Sequence, residues 1–162
     1  MSLTPQQQAA LKAAILADAT LNALPPTLDS GYEIAIQLDV LAVPAYIVWR
    51  TSVPIDEIMR NGMDWARVDN LSVGKARIWD WMTRLGTFNA AKANIRAGID
   101  AAWVGTAADL AVRATVYTHC KRNATRAEKV LKDSGSGTDV DPAVMGVEGK
   151  LVPQDVYEAR NS

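Results

Sequence analysis

One cysteine, one histidine and one phenylalanine are all that the 162 residues contain of those three types. A lone thiol, Cys120, forms no internal disulfide, so the fold is expected to hold without a covalent staple and to suit synthesis in a reducing host cytoplasm. His119 is its neighbour. Adjacent positions on a helix point about 100° apart, so the pair converges neither on one metal nor as a nucleophile and its base. No further Cys or His exists to complete a zinc or iron site, and no metal or other cofactor is expected. Long apolar runs are missing too: none reaches the roughly 18 to 20 residues of a membrane-spanning helix. The start, Met1 to Gln8, lacks the basic region and apolar stretch of a signal peptide. Charge of one sign is also lacking. Seventeen basic residues face eighteen acidic ones, a net charge of −1, so the cationic surplus of a protein that grips nucleic acid is absent.

Against these absences stand 49% hydrophobic residues, enough for one ordinary domain with a core of its own. Alanine is frequent, which favours helix. Five tryptophans stand out beside the single Phe88, and Trp serves both cores and contact surfaces.

The chain reads as mainly α: a compact multi-helix bundle with an extended C-terminal tail and little or no sheet. Thr4 caps a first helix over 5–17, with Pro5 at its first position. Pro25 and Pro26 break the chain. Asp29 or Ser30 caps a second helix over 31–41, with Ile34, Leu38 and Leu41 on one face. Residues 45–51 suit a strand by composition, yet no second convincing strand offers a pairing, and helix is the expectation. Short helices follow over 54–60 and 64–68. Ser72 then caps 73–85, where Ile78, Trp81, Met82 and Leu85 form an i, i+3, i+4, i+7 stripe. Asn89 caps a helix carrying Ile95, Ile99, Ala102 and Trp103, and Thr106 opens 107–121 on Leu110, Ala114 and Tyr117. A last helix spans 125–132.

Residues 133–142, Gly- and Ser-rich, read as a flexible linker. Behind it Val144, Met145, Val147, Leu151, Val152, Val156 and Tyr157 are apolar again, with Pro153 opening a closing helical turn. The chain is therefore expected to divide into a helical body, 1–133, and a docking tail, 134–162. On this division, deleting the tail leaves the body folded.

The residues offer surfaces and no catalytic constellation. The carboxylates show no paired spacing, and Gly135-Ser136-Gly137 lacks the lysine, strand and helix of a phosphate loop. On a continuous helix Arg122, Arg126 and Lys129 would share a basic face able to meet DNA phosphates, or protein. Trp79 and Trp81, two apart, emerge on nearly opposite sides of their helix, so one enters the core and the other lies shallow or against a partner. The candidate partner contacts are thus Trp79, Trp81, Arg122, Arg126 and the seven apolar tail residues.

Five segments resemble small proteins encoded in the head-morphogenesis region of tailed bacteriophages: 48–53 (VWRTSV), 68–82 (VDNLSVGKARIWDWM), 95–103 (IRAGIDAAW), 122–129 (RNATRAEK) and 145–156 (MGVEGKLVPQDV). In size and helical pattern the chain is similar to head–tail connector (adaptor) proteins. The resemblance implies a non-enzymatic virion protein of the neck, in a homo-oligomeric ring of roughly 12 copies that closes by rotation. Its partners would be the portal protein and a tail or neck protein, with only weak, non-specific proximity to packaged DNA and no membrane. Another minor head, neck or tail-completion protein, or a DNA-binding regulator using the Arg122 stripe, are the alternatives.

Overall fold

The computed structural model describes residues 3–162. Helices, in chain order, are α1 (Pro5–Ala17), α2 (Ala19–Asn22), α3 (Leu28–Leu38), α4 (Ile55–Arg60), α5 (Trp65–Asp69), α6 (Val73–Thr83), α7 (Ala93–Ala102), α8 (Ala107–His119), α9 (Arg126–Val130) and α10 (Pro153–Asn161). Strands are short: β1 (Ile47–Trp49), β2 (Val53–Pro54), β3 (Thr87–Phe88), β4 (Lys121–Asn123), β5 (Lys132–Ser134) and β6 (Val144–Met145). They pair as β1–β4, β2–β3 and β5–β6. About 54% of the chain is helical, so the mainly α class holds. None of the described helices is long and apolar enough to cross a membrane.

The chain forms two compact units, and the boundary is not the expected one. Unit 1 comprises residues 1–48 and 123–162; unit 2 is the continuous segment 49–122. The proposed body of 1–133 therefore spans both units, and the proposed tail of 134–162 is part of unit 1.

In unit 1, local chemistry sets the helix starts. The Thr4 hydroxyl accepts from Gln7 N (3.3 Å) while Gln7 Oε1 accepts from Thr4 N (2.9 Å), a reciprocal cap that satisfies two backbone donors. α3 starts earlier than expected. Thr27, straight after the prolines, accepts from Ser30 N at 3.3 Å, which leaves Asp29 in the first turn, where its charge complements the helix dipole. α10 packs against α3 and α1. At the crossing, Gly31 is pressed against Pro153: a Cβ on Gly31 would lie 2.7 Å from the Pro153 carbonyl oxygen. Leu11, Ile15, Ile34, Leu38, Leu131, Val147, Leu151 and Val156 share one buried core.

The expected linker is a built turn. Asp141 organises it: its carboxylate accepts from Ser136 N (2.7 Å), its carbonyl from Gly137 N (3.0 Å), and its own N–H donates to the Thr138 hydroxyl (3.1 Å). The Ser136 hydrogen bonds hold the Asp141 carboxyl below its usual range. Ile47 N donates to Gly137 O (2.8 Å) and Ile47 O accepts from Ala143 N (2.9 Å). That bonding corrects the helix expected over 45–51. Ile47–Trp49 is a strand because its backbone partners are polar or Gly-rich segments that hydropathy does not mark as strands.

Unit 2 is held by α6 and α7 and by the α4–α8 and β2–β3 contacts. Trp79 meets Trp103 and Phe88 edge-on, at 5.3 and 5.8 Å between ring centroids, with Ile99 and Ala102 also buried. α8 buries Val112 and Val116 rather than Leu110, Ala114 and Tyr117. Leu110 is exposed, and the Tyr117 hydroxyl donates to Asp100 at 2.9 Å. Its N-terminus carries a reciprocal Thr106–Asp109 cap, and Asp109, itself buried, is bound by Arg67 with Lys75 3.6 Å away.

The hydrogen bond from Arg67, then that from Thr106 N, lowers the Asp109 pKa to about 2. A carboxylate depressed in this way stabilises the fold fully above its unfolded value near 3.8, and the contribution disappears as pH falls toward 2. In Asp109→Asn, the cap acceptor survives and the charge does not. Thermal melts should place this variant below wild type at neutral pH, with the gap narrowing between pH 4 and 2. A gap independent of pH would show that the charge contributes nothing.

Candidate interaction surface

The proposed partner residues separate into two groups. Trp79, Val147, Leu151 and Val156 are buried within their own units and are engaged there. They are core residues, because α6 turns Trp79 inward and α10 folds back on α3. Val144 and Met145 are half-buried in β6, paired with β5. Arg126 is bound to Asp18 (2.6 Å) and to the Gln37 carbonyl (3.3 Å). Arg122 lies half-buried in β4, and its hydrogen-bonding or ionic capacity is also engaged. Trp81, Val152 and Tyr157 remain exposed.

The expected basic stripe does not form. α8 stops at His119, Lys121–Asn123 is a strand, and α9 begins at Arg126, so Arg122, Arg126 and Lys129 do not lie along one helix. Lys129 and Lys132 sit over the Tyr46 ring at 5.5 and 5.7 Å.

His119 faces Glu57 through Nδ1 (3.3 Å) and the Asn61 carbonyl through Nε2 (2.9 Å), while Arg50 binds both Glu57 oxygens at 2.6 and 3.0 Å. The Arg50 hydrogen bond leads the causes that hold the Glu57 carboxyl below its usual range. Cys120 is fully buried, and burial pushes its thiol up to about 12. These groups satisfy one another, and the thiol points away from solvent. Among the described residues no group of three His, Cys, Asp or Glu is placed to hold a metal. A cavity of about 300 Å³ in unit 2 is lined by Met59, Val68, Leu71, Trp79 and Asp80. Its one ionisable group, Asp80, already pairs with Arg84 (2.7 Å).

Two helix faces stand apart. On α6 the buried side chains are Trp79 and Met82, and the stripe read from spacing is split: Ile78 is half-buried, while Trp81 (65% exposed) and Leu85 (61%) point to solvent. Arg77, one turn before Trp81, shares that outer face and has no ion-pair partner among the described residues; Arg84 flanks it. On α3 the buried row is Ile34, Ala35 and Leu38. A second apolar row, Leu28, Tyr32 and Ile36, lies outward at i, i+4 spacing and is followed by exposed Val40 just past the helix, with Tyr32 61% and Ile36 53% exposed. Asp29 and Glu33 run alongside it, also exposed and without ion-pair partners among the described residues. The row read from spacing is Ile34, Leu38 and Leu41, but α3 ends at Leu38 and Leu41, beyond it, is exposed. The visible signal for the outer row was a helix apolar on two sides, which is more than one core needs.

No protein-family model matches the chain, and no curated protein or solved structure matches it either.

Proposed function

We propose that this chain is a non-enzymatic structural protein of a tailed-phage particle, acting as a head–tail connector in a ring beneath the portal. The observation that carries the assembly role is the pair of exposed apolar faces, one in each unit: Tyr32 and Ile36 on α3, and Trp81 on α6 with Leu85 in the turn just past its end. Closed rings are built from heterologous contacts, so each subunit must present two different patches. Tyr and Trp are the side chains that most often anchor such contacts. The phage assignment comes from the five sequence segments quoted above, and the connector assignment from similarity in size and helical pattern, which is also what the compact multi-helix bundle rests on. The portal and a tail or neck protein are the partners this reading names.

The tail-docking part of the original expectation takes a different form here. Val147, Leu151 and Val156 are committed to the unit 1 core, so contacts to other subunits fall to the helix faces. The test is to purify phage particles and image the vertex where head and tail meet. A ring of density fitted by both units, with the chain present by mass spectrometry in about portal copy number, is the expected result. Particles that lack the chain overturn the reading.

A further inference from the structure

We infer that the α6 face of one copy docks on the α3 face of a second copy, Trp81 and Leu85 seating against Tyr32 and Ile36. This deepens the assembly reading above and rests on it. The occupant is identified by charge. The α3 row is flanked by Asp29 and Glu33 and has no basic residue along its helix. The α6 row is flanked by Arg77 and Arg84, whose only acidic neighbour on that face, Asp80, is already bound to Arg84. Each face alone would repel its own duplicate: two α3 faces bring four carboxylates together, and two α6 faces bring together the two Arg77 guanidinium groups, Arg84 being neutralised by Asp80. An α3–α6 contact instead sets Asp29 and Glu33 opposite the arginines around a shared apolar strip. Like-charge juxtaposition suppresses wrong pairings more effectively than attraction strengthens right ones. The contact is therefore heterologous, and every copy retains one open face of each kind until the assembly closes.

Two full-length variants separate the possibilities: Tyr32→Glu with Ile36→Glu, which blocks α3, and Trp81→Glu, which blocks α6. All three positions are exposed, and circular dichroism checks that each variant is folded. By sedimentation, wild type should self-associate with concentration, and each variant alone should do so roughly thirtyfold or more weakly, the loss typical of an anchor residue. An equimolar mixture of the two should form a one-to-one dimer and nothing larger, because one intact α3 face and one intact α6 face remain between them. Arg77→Glu should weaken association, and mixing it with a Glu33→Arg copy should restore it. The inference is overturned if the mixture stays monomeric, or if only one variant loses association, which marks a contact between like faces. It is also overturned if both variants associate as wild type does, in which case self-assembly stands but through another surface. Wild type that stays monomeric at every concentration overturns it as well, and assigns both faces to other proteins. The connector reading is then judged separately by the particle images.

Discussion

Deleting residues 134–162 is expected to unfold unit 1 while leaving unit 2 intact. The deletion removes Val147, Leu151 and Val156 from the core, each worth about 1.5–3 kcal/mol of buried apolar surface. Together that is about 5–9 kcal/mol, comparable with the whole stability of a typical domain, about 5–15 kcal/mol. It also uncovers Leu11 and Ile15 on α1 and Ile34 and Leu38 on α3, which α10 otherwise covers. All five tryptophans lie within 49–122, so their emission reports unit 2 alone. The truncated chain should keep a native-like tryptophan spectrum and lose hydrogen-exchange protection over 5–38. Retained protection there would mean that the last segment is dispensable for folding, as its composition suggests.

The second large effect is expected at Gly137. Its φ of +75° lies in the left-handed region, and a Cβ added there would fall 2.1 Å from the Tyr46 ring. Gly137→Ala therefore combines backbone strain of about 1–2 kcal/mol with the displacement of a buried ring, about 1–3 kcal/mol more. Displacing Tyr46 also disturbs its stacking with Lys129 and Lys132 and the Ile47–Gly137 hydrogen bond. Gly86 supplies the control: its φ is +74° and nothing lies within 4 Å of its added Cβ. Urea unfolding should show Gly86→Ala losing only the strain component and Gly137→Ala losing about 2–5 kcal/mol in all. Equal losses would mean that the ring does not bear on Gly137.

What could be read in advance was what is decided locally. Thr4 and Thr106 announced their helices because a cap is a matter of three or four consecutive residues. The opposite fates of Trp79 and Trp81 followed from their spacing alone, although which one would be buried did not. Where the outcome depended on distant partners, spacing misled. The stripe Ile78, Trp81, Met82 and Leu85 is regular, yet α7 packs on the neighbouring face through Met82, against which Gly98 lies. The strand at Ile47–Trp49 was invisible for the same reason: it bonds to Gly137 and Ala143, ninety or so residues on. Composition marked 133–142 as linker, since Gly and Ser suit both loose chain and tight turns. Asp141, bonded to Ser136, Gly137 and Thr138, decides between them. The outer row of α3 went unread because one buried row already accounted for a helix there.

Unit 1 is interrupted in the chain by the whole of unit 2, and this orders the events of synthesis. A ribosome making 5–20 residues per second takes on the order of 4–15 s to translate the segment between the two halves of unit 1. At the end of that interval unit 2 has its whole sequence, before the second half of unit 1 is made. The nascent α1 and α3, by contrast, carry Leu11, Ile15, Ile34 and Leu38 with nothing yet made to cover them. The later segment thus matures ahead of the earlier one, and the newborn N-terminal third must be shielded from aggregation until α10 is delivered.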